Sequence, residues 1–136
     1  MRFKNQIAIV TGAGRGMGKT IAERFASEGA KVVLVARHKE EIKKVANQIK
    51  ESGKEALWQI ADISIPGEME KVAVFVIEKF GKIDILVTCA AAGPAVSPSE
   101  SLSLEEWKKV IDTDLTGTFL TCQAVGKYML KQNYGR

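Results

Sequence analysis

Four glycines fall within seven residues in the run Thr11-Gly12-Ala13-Gly14-Arg15-Gly16-Met17-Gly18. A plain tight turn needs one glycine. Several in a row let a backbone take positive φ and let a ligand come close to it. The apolar run Ile7-Ala8-Ile9-Val10 precedes the glycines and reads as a buried strand. Ile21, Ala22, Phe25 and Ala26 follow at helical spacing. A glycine-rich turn between a strand and a helix presents amide hydrogens at the helix N-terminus, where the dipole favours an anion. The chemistry implied is the holding of a phosphate or pyrophosphate. A P-loop would need a glycine where Ala13 stands, five residues before Gly18-Lys19-Thr20, and no acidic metal-binding strand end supports that reading.

Strand-like and helical runs alternate around this turn. Gly29 caps the first helix at its C-terminus. Lys31 to Ala36 reads as strand two, continuously apolar after its lysine, as in a strand covered on both faces. Helix two spans Lys39 to Ser52, with Ile42, Val45, Ala46 and Ile49 on one face. Strand three spans Glu55 to Ala61. Ser64 is the expected cap of helix three, whose apolar stripe is Met69, Val72, Ala73, Val76, Ile77 and Phe80. Strand four spans Ile83 to Thr88, and a loop follows from Cys89 to Ser101. Ser103 and Glu106 form a capping box, with Leu102 and Trp107 at the staple positions. A last helix from about Thr113 to Gln132 carries Leu115, Phe119, Val125 and Met129. Such alternation predicts an α/β, Rossmann-type, doubly wound parallel sheet in the order 3-2-1-4. The ligand is expected at the switch between strands one and four.

Composition narrows the class. The 136 residues suit one dinucleotide-binding domain over 1–136, incomplete at its C-terminal end. The net charge of +4 is spread through mixed runs such as Lys39-Glu40-Glu41-Ile42-Lys43-Lys44, which argues against nucleic-acid binding. No apolar stretch reaches membrane-spanning length and none resembles a secretory signal, so a cytoplasmic protein is expected. One histidine and two cysteines, Cys89 and Cys122, make neither a disulfide framework nor a metal site.

With these residues in place, the chain resembles the short-chain dehydrogenase/reductase family over its whole length. The resemblance rests on Thr11-Gly12-x-x-x-Gly16-x-Gly18, Asp62-Ile63, Asp84-Ile85-Leu86-Val87 and Leu115-Thr116-Gly117-Thr118-Phe119. It implies a carbonyl reductase similar to 3-oxoacyl-carrier-protein reductases, passing hydride between a nicotinamide and a ketone or alcohol. The implied substrate is a small carbonyl compound or acyl thioester, and the full-length relatives are homo-oligomers. The implied cofactor contacts are Gly12, Gly14, Arg15, Gly16, Met17 and Gly18 in the loop, and Ala36 and Arg37 after strand two. Asp62 and Ile63 sit at the adenine, with Cys89, Ala90 and Ala91 after strand four. NAD-binding members carry an acid at the end of strand two, where this chain has Ala36. Arg15 and Arg37 favour a 2′-phosphate instead, so NADP(H) is expected over NAD(H).

Two positions depart from the family. Thr88 and Cys89 replace the asparagine pair that ends strand four, and a shifted register aligns Ala92-Gly93 with the motif as in dienoyl-CoA-reductase-like members. Asp114 stands where the family has the asparagine of its proton relay, and so is the catalytic candidate. The family's serine and Tyr-x-x-x-Lys would lie beyond Arg136. Tyr128-Met129-Leu130-Lys131 is one residue short of that spacing. The chain alone is therefore expected to be inactive, with strand four left as an unpaired edge. A non-catalytic dinucleotide-binding module is the reading from a different class.

Overall fold

The computed structural model describes residues 1–93 and 97–136. Four parallel strands, β1 (Ile7–Thr11), β2 (Lys31–Ala36), β3 (Ala56–Ile60) and β4 (Ile85–Thr88), lie in the order β3-β2-β1-β4. Each follows the last by a helical crossover: α1 (Gly16–Ser27), α2 (Lys39–Glu51) and α3 (Glu68–Phe80). After a single 3₁₀ turn at Ser99–Ser101, α4 (Leu104–Val110) runs through a π-helical stretch, Ile111–Gly117, into α5 (Thr118–Gln132). The strand order and element sequence are those expected; β3 and β4 are shorter at their ends than the apolar runs suggested.

The period-two alternation of β1 and β2 divides the core. Ile7, Ile9, Val33 and Val35 point to the face covered by Met69, Val72, Ala73 and Val76 of α3 and by Ala124 and Val125 of α5. Ala8, Val10, Val32 and Leu34 point to the face covered by Ala22 and Ala26 of α1 and by Ile42, Val45, Ala46 and Ile49 of α2. Burying each branched aliphatic side chain contributes roughly 1.5–3 kcal/mol, which drives both layers onto the sheet. Register is set by this alternation, since a one-residue slip would exchange the two faces.

Three expectations need correction. Ser64 does not cap α3: that helix starts at Glu68 behind Gly67, which is left-handed at φ 90° and provides no side-chain cap. Ser64 instead donates from its N–H and Oγ to Asp62 Oδ1, at 3.0 and 2.6 Å. The outer edge of β4 is not wholly unpaired. The Arg136 N–H donates to the Asp84 carbonyl, and the Arg136 carbonyl accepts from the Leu86 N–H, a parallel bridge opposite Ile85. Finally, Leu115 and Phe119 are exposed, at 65% and 59%. The last helix buries small residues instead: Thr113, Gly117, Thr121, Ala124 and Val125. A Cβ at Gly117 would lie 2.8 Å from Ile63 Cγ1, so only glycine allows the helix this close to the chain after β3.

The capping box forms as expected: Ser103 Oγ accepts from Glu106 N–H, and the Glu106 carboxylate accepts from Ser103. Trp107 at the staple position is more than half exposed. Of the loop Cys89–Ser101, residues 94–96 lie outside the described residues.

Candidate functional site

A cleft of about 270 Å³ opens at the carboxyl ends of the strands, where sheet order reverses between β1 and β4. Its floor is the turn from β1 into α1. Gly12 is held by contact as well as conformation: its φ is +65°, and a Cβ there would meet the Cys89 and Ala90 backbone at 2.7 Å. A Cβ at Gly18 would collide with the Gly12 carbonyl oxygen. Gly16 has open space around it and is required by its φ of +55° alone. The result is a turn in which backbone, not side chain, lines the cleft.

Among the described residues, the first turn of α1 faces that cleft without a partner of its own. Arg15 occupies the N-cap position, makes no side-chain cap, and no acidic residue lies in the first turn. The amides of Gly16, Met17 and Gly18 are thus the free positive end of a 12-residue helix, suited to an anion. Met17 itself is exposed.

The other walls come from the ends of three strands. Ala36 and Arg37 leave β2; Asp62 and buried Ile63 follow β3; Cys89, Ala90 and Ala91 follow β4. Together with Gly12, Gly14, Arg15, Gly16, Met17 and Gly18, all thirteen residues expected to contact a cofactor border one cleft. Thr11 explains how the β4 wall is held. Its side chain is fully buried, and Oγ1 accepts from Cys89 N–H at 3.2 Å and Ala90 N–H at 3.3 Å. In the sequence Thr11 reads only as the first residue of the turn; its hydroxyl braces the chain just after β4.

Asp114 is not on the cleft wall. Exposed in the π-helical stretch, it accepts the Ala92 N–H on Oδ1 at 2.8 Å, tying α4–α5 to the segment after β4. Tyr128 packs against the sheet core, away from the cleft, with Lys131 above its ring.

Two of the groups bordering the cleft are moved from their ordinary ionisation. Burial works against the charge of Asp62, but hydrogen bonds from the Ser64 hydroxyl and amide and the Arg37 cation outweigh it, holding the carboxyl below its usual range. Arg37 Nη1 lies 3.8 Å from Asp62 Oδ2. Burial pushes the Cys89 thiol up, so it stays protonated and packs as a small apolar group. Elsewhere, buried Asp84 accepts the Ile7 N–H and pairs with Lys82 Nζ at 2.9 Å, closing the start of β1 onto β4.

His38, Glu41, Ala61, Gly93 and Thr113 also border the cleft and were not expected there. Glu41 reads in sequence as part of a solvated charge run. Only the docking of α2 against the turn brings it in. Among the described residues, no group of three His, Cys, Asp or Glu side chains could hold a metal ion, and no helix is long and apolar enough to cross a membrane.

An uncapped helix start at the switch point of a doubly wound parallel sheet is the arrangement that nucleotide-binding α/β proteins use. Residues 6–136 match the family model described as short chain dehydrogenase, and the chain belongs to that family. It is 36% identical to D-threitol dehydrogenase of Mycolicibacterium smegmatis, over 98% of this chain and 51% of that protein. Among solved structures, a metagenomic short-chain oxidoreductase in complex with NADP superposes with a TM-score of 0.92 at 32% identity, covering 99% of this chain and 61% of the other. NAD⁺-bound xylitol dehydrogenase superposes with a TM-score of 0.96 at 31% identity, covering 100% and 52%. The chain spans about half the length of the curated relatives it matches.

Proposed function

We propose that this chain is the cofactor-binding part of a cytoplasmic nicotinamide-dependent oxidoreductase, with NADP(H) preferred and NAD(H) as the alternative. The observation that carries this reading is the uncapped start of α1, set behind a turn whose glycines leave no side chain between its amides and the cleft. The cleft suits an extended dinucleotide. Amides of Gly16, Met17 and Gly18 hold the pyrophosphate; Ile63 and Ala61 flank the adenine; Arg15 and Arg37 stand at its ribose. Neighbours of the same fold bound to NADP and to NAD⁺ support a cofactor of this class.

When bound, the nicotinamide supplies or accepts a hydride. The residues of this chain bind and orient. Cys89, Ala90 and Ala91, braced by Thr11, form the wall on which the far half of the dinucleotide rests. Asp114 positions that wall through Ala92 and is the proposed member of the proton relay. The proposed substrate of the whole protein is a ketone or alcohol of the carbonyl or 3-oxoacyl type, and the whole protein is proposed to be a homo-oligomer.

Titration with NADP⁺ and NAD⁺ by calorimetry tests the cofactor. Tighter binding of NADP⁺ is expected; tighter binding of NAD⁺ overturns the preference, and no binding of either overturns the site. For Asp114, Asp114→Asn keeps an oxygen for the Ala92 N–H while losing the charge. In the whole enzyme it is expected to change the pH–rate profile, whereas an unchanged profile would leave Asp114 a structural tie only.

A further inference from the structure

We infer that Glu41 is a specificity-determining residue of the cleft: a carboxylate delivered from α2 that faces the adenosine ribose and opposes a 2′-phosphate there. This rests on the dinucleotide reading given above. The acid expected at the end of β2 in an NAD-binding site is absent, since Ala36 occupies that position. The structure supplies a carboxylate by another route. Glu41 lies in the first turn of α2, is only partly exposed, and borders the cleft beside Arg15, Arg37 and His38.

Gly14 shows that this placement is built in. Its φ is not positive, so its backbone does not call for glycine. What it lacks is space. A Cβ at Gly14 would lie 2.9 Å from Glu41 Oε2 and 3.0 Å from Glu41 Cβ. Contact at Cβ involves the root of the side chain, which cannot swing away as its end can. Gly14 is therefore the residue that lets α2 bring Glu41 onto the turn. Gly12, Gly16 and Gly18, by contrast, are demanded by φ or by backbone contact.

Among the described residues, no hydrogen bond or ion pair engages the Glu41 carboxylate. Arg37 is turned towards Asp62 instead, and Arg15 pairs with no acid. An ionised carboxylate accepts a hydrogen bond from a ribose hydroxyl but repels a phosphate at the same place. The two arginines pull towards a 2′-phosphate; Glu41 pushes against it. Their balance sets the NADP⁺ to NAD⁺ ratio, and Glu41 keeps NAD⁺ within reach of a site otherwise furnished for NADP⁺.

The test is the ratio of dissociation constants for NADP⁺ and NAD⁺, measured by calorimetry on the 136-residue chain and two variants. Glu41→Gln keeps the side chain's size and removes its charge. It is expected to shift the ratio towards NADP⁺ by on the order of tenfold, the scale of one charge acting on a phosphate a few ångströms away in a partly wet site. Gly14→Ala displaces Glu41 without altering its charge and is expected to shift the ratio in the same direction. An unchanged ratio in both variants, with the parent chain binding either dinucleotide, overturns the role of Glu41 and leaves the cofactor reading intact. Failure of the parent chain to bind either dinucleotide overturns both.

Discussion

The two faces of the sheet are covered in different ways. On one, α1 and α2 lie flat, and their apolar stripes vanish into the core: Ala22, Ala26, Ile42, Val45, Ala46 and Ile49 are all buried. On the other, α3 behaves likewise, but α4 buries nothing, and the helix continuing into α5 meets the sheet mainly through small residues, Thr113, Gly117, Thr121 and Ala124, with Val125 beside them. Of its large apolar side chains, Tyr128 and Met129 pack against the core, while Leu104, Trp107, Leu115, Phe119 and Leu130 face outward. Close approach to Ile63 sets this choice. Where a helix axis must come near the backbone, small residues take the contact and large ones are turned away from it. The first face teaches how amphipathic helices are read; the second shows that an apolar residue at helical spacing need not be a core residue.

Breaking that contrast begins at the turn beneath the first face. Gly18→Ala drives a methyl into the Gly12 carbonyl and is expected to cost about 3 kcal/mol or more and to abolish dinucleotide binding. Chemical denaturation with a parallel binding titration measures both. Thr11→Val preserves shape but strips two amides of their acceptor. A loss of roughly 1–3 kcal/mol is expected, with weaker dinucleotide binding as the β4 wall loosens. Retention of both stability and affinity would show that the wall needs no brace.

Ser64→Ala, on the second face, removes one of the hydrogen bonds that hold the Asp62 carboxyl below its usual range. A cost of about 0.5–1.5 kcal/mol is expected at neutral pH. Asp62 titrates below its unfolded value, so its contribution is full above about pH 4 and is lost as pH falls through its lower folded value. The gap between parent and variant should therefore close in acid. A gap constant from pH 7 to pH 3 would mean that Ser64 acts without Asp62. The smallest effect belongs to the outward apolar row. Leu115→Ser and Phe119→Ser are expected to change the stability of the chain by less than about 0.5 kcal/mol, since neither side chain is packed. A loss above 2 kcal/mol would return both residues to a core and dissolve the contrast between the faces.

Much of the site was legible before any coordinates. Glycine spacing between a strand and a helix implies an anion site because only backbone amides can be presented there, and the thirteen expected residues do border one cleft. Asp62 was harder to place. Ser64 looks like a helix cap in isolation, but α3 starts at Glu68, behind Gly67, and Ser64 binds Asp62 instead. Asp114 was legible as a departure from a family pattern, but its partner, the Ala92 amide, was not, because 22 residues separate the two.

Alternation of apolar residues, the punctuating glycines and the glycine-rich turn before α1 were determined by sequence alone. Each depends on forces acting within a few residues: side-chain period, backbone freedom and the helix dipole. The tertiary structure decided which of two helix faces meets the sheet, what Thr11 and Asp114 hold, and that Glu41 reaches the turn through the space Gly14 leaves. Those contacts join residues distant in the chain, and their distances exist only once both layers have packed.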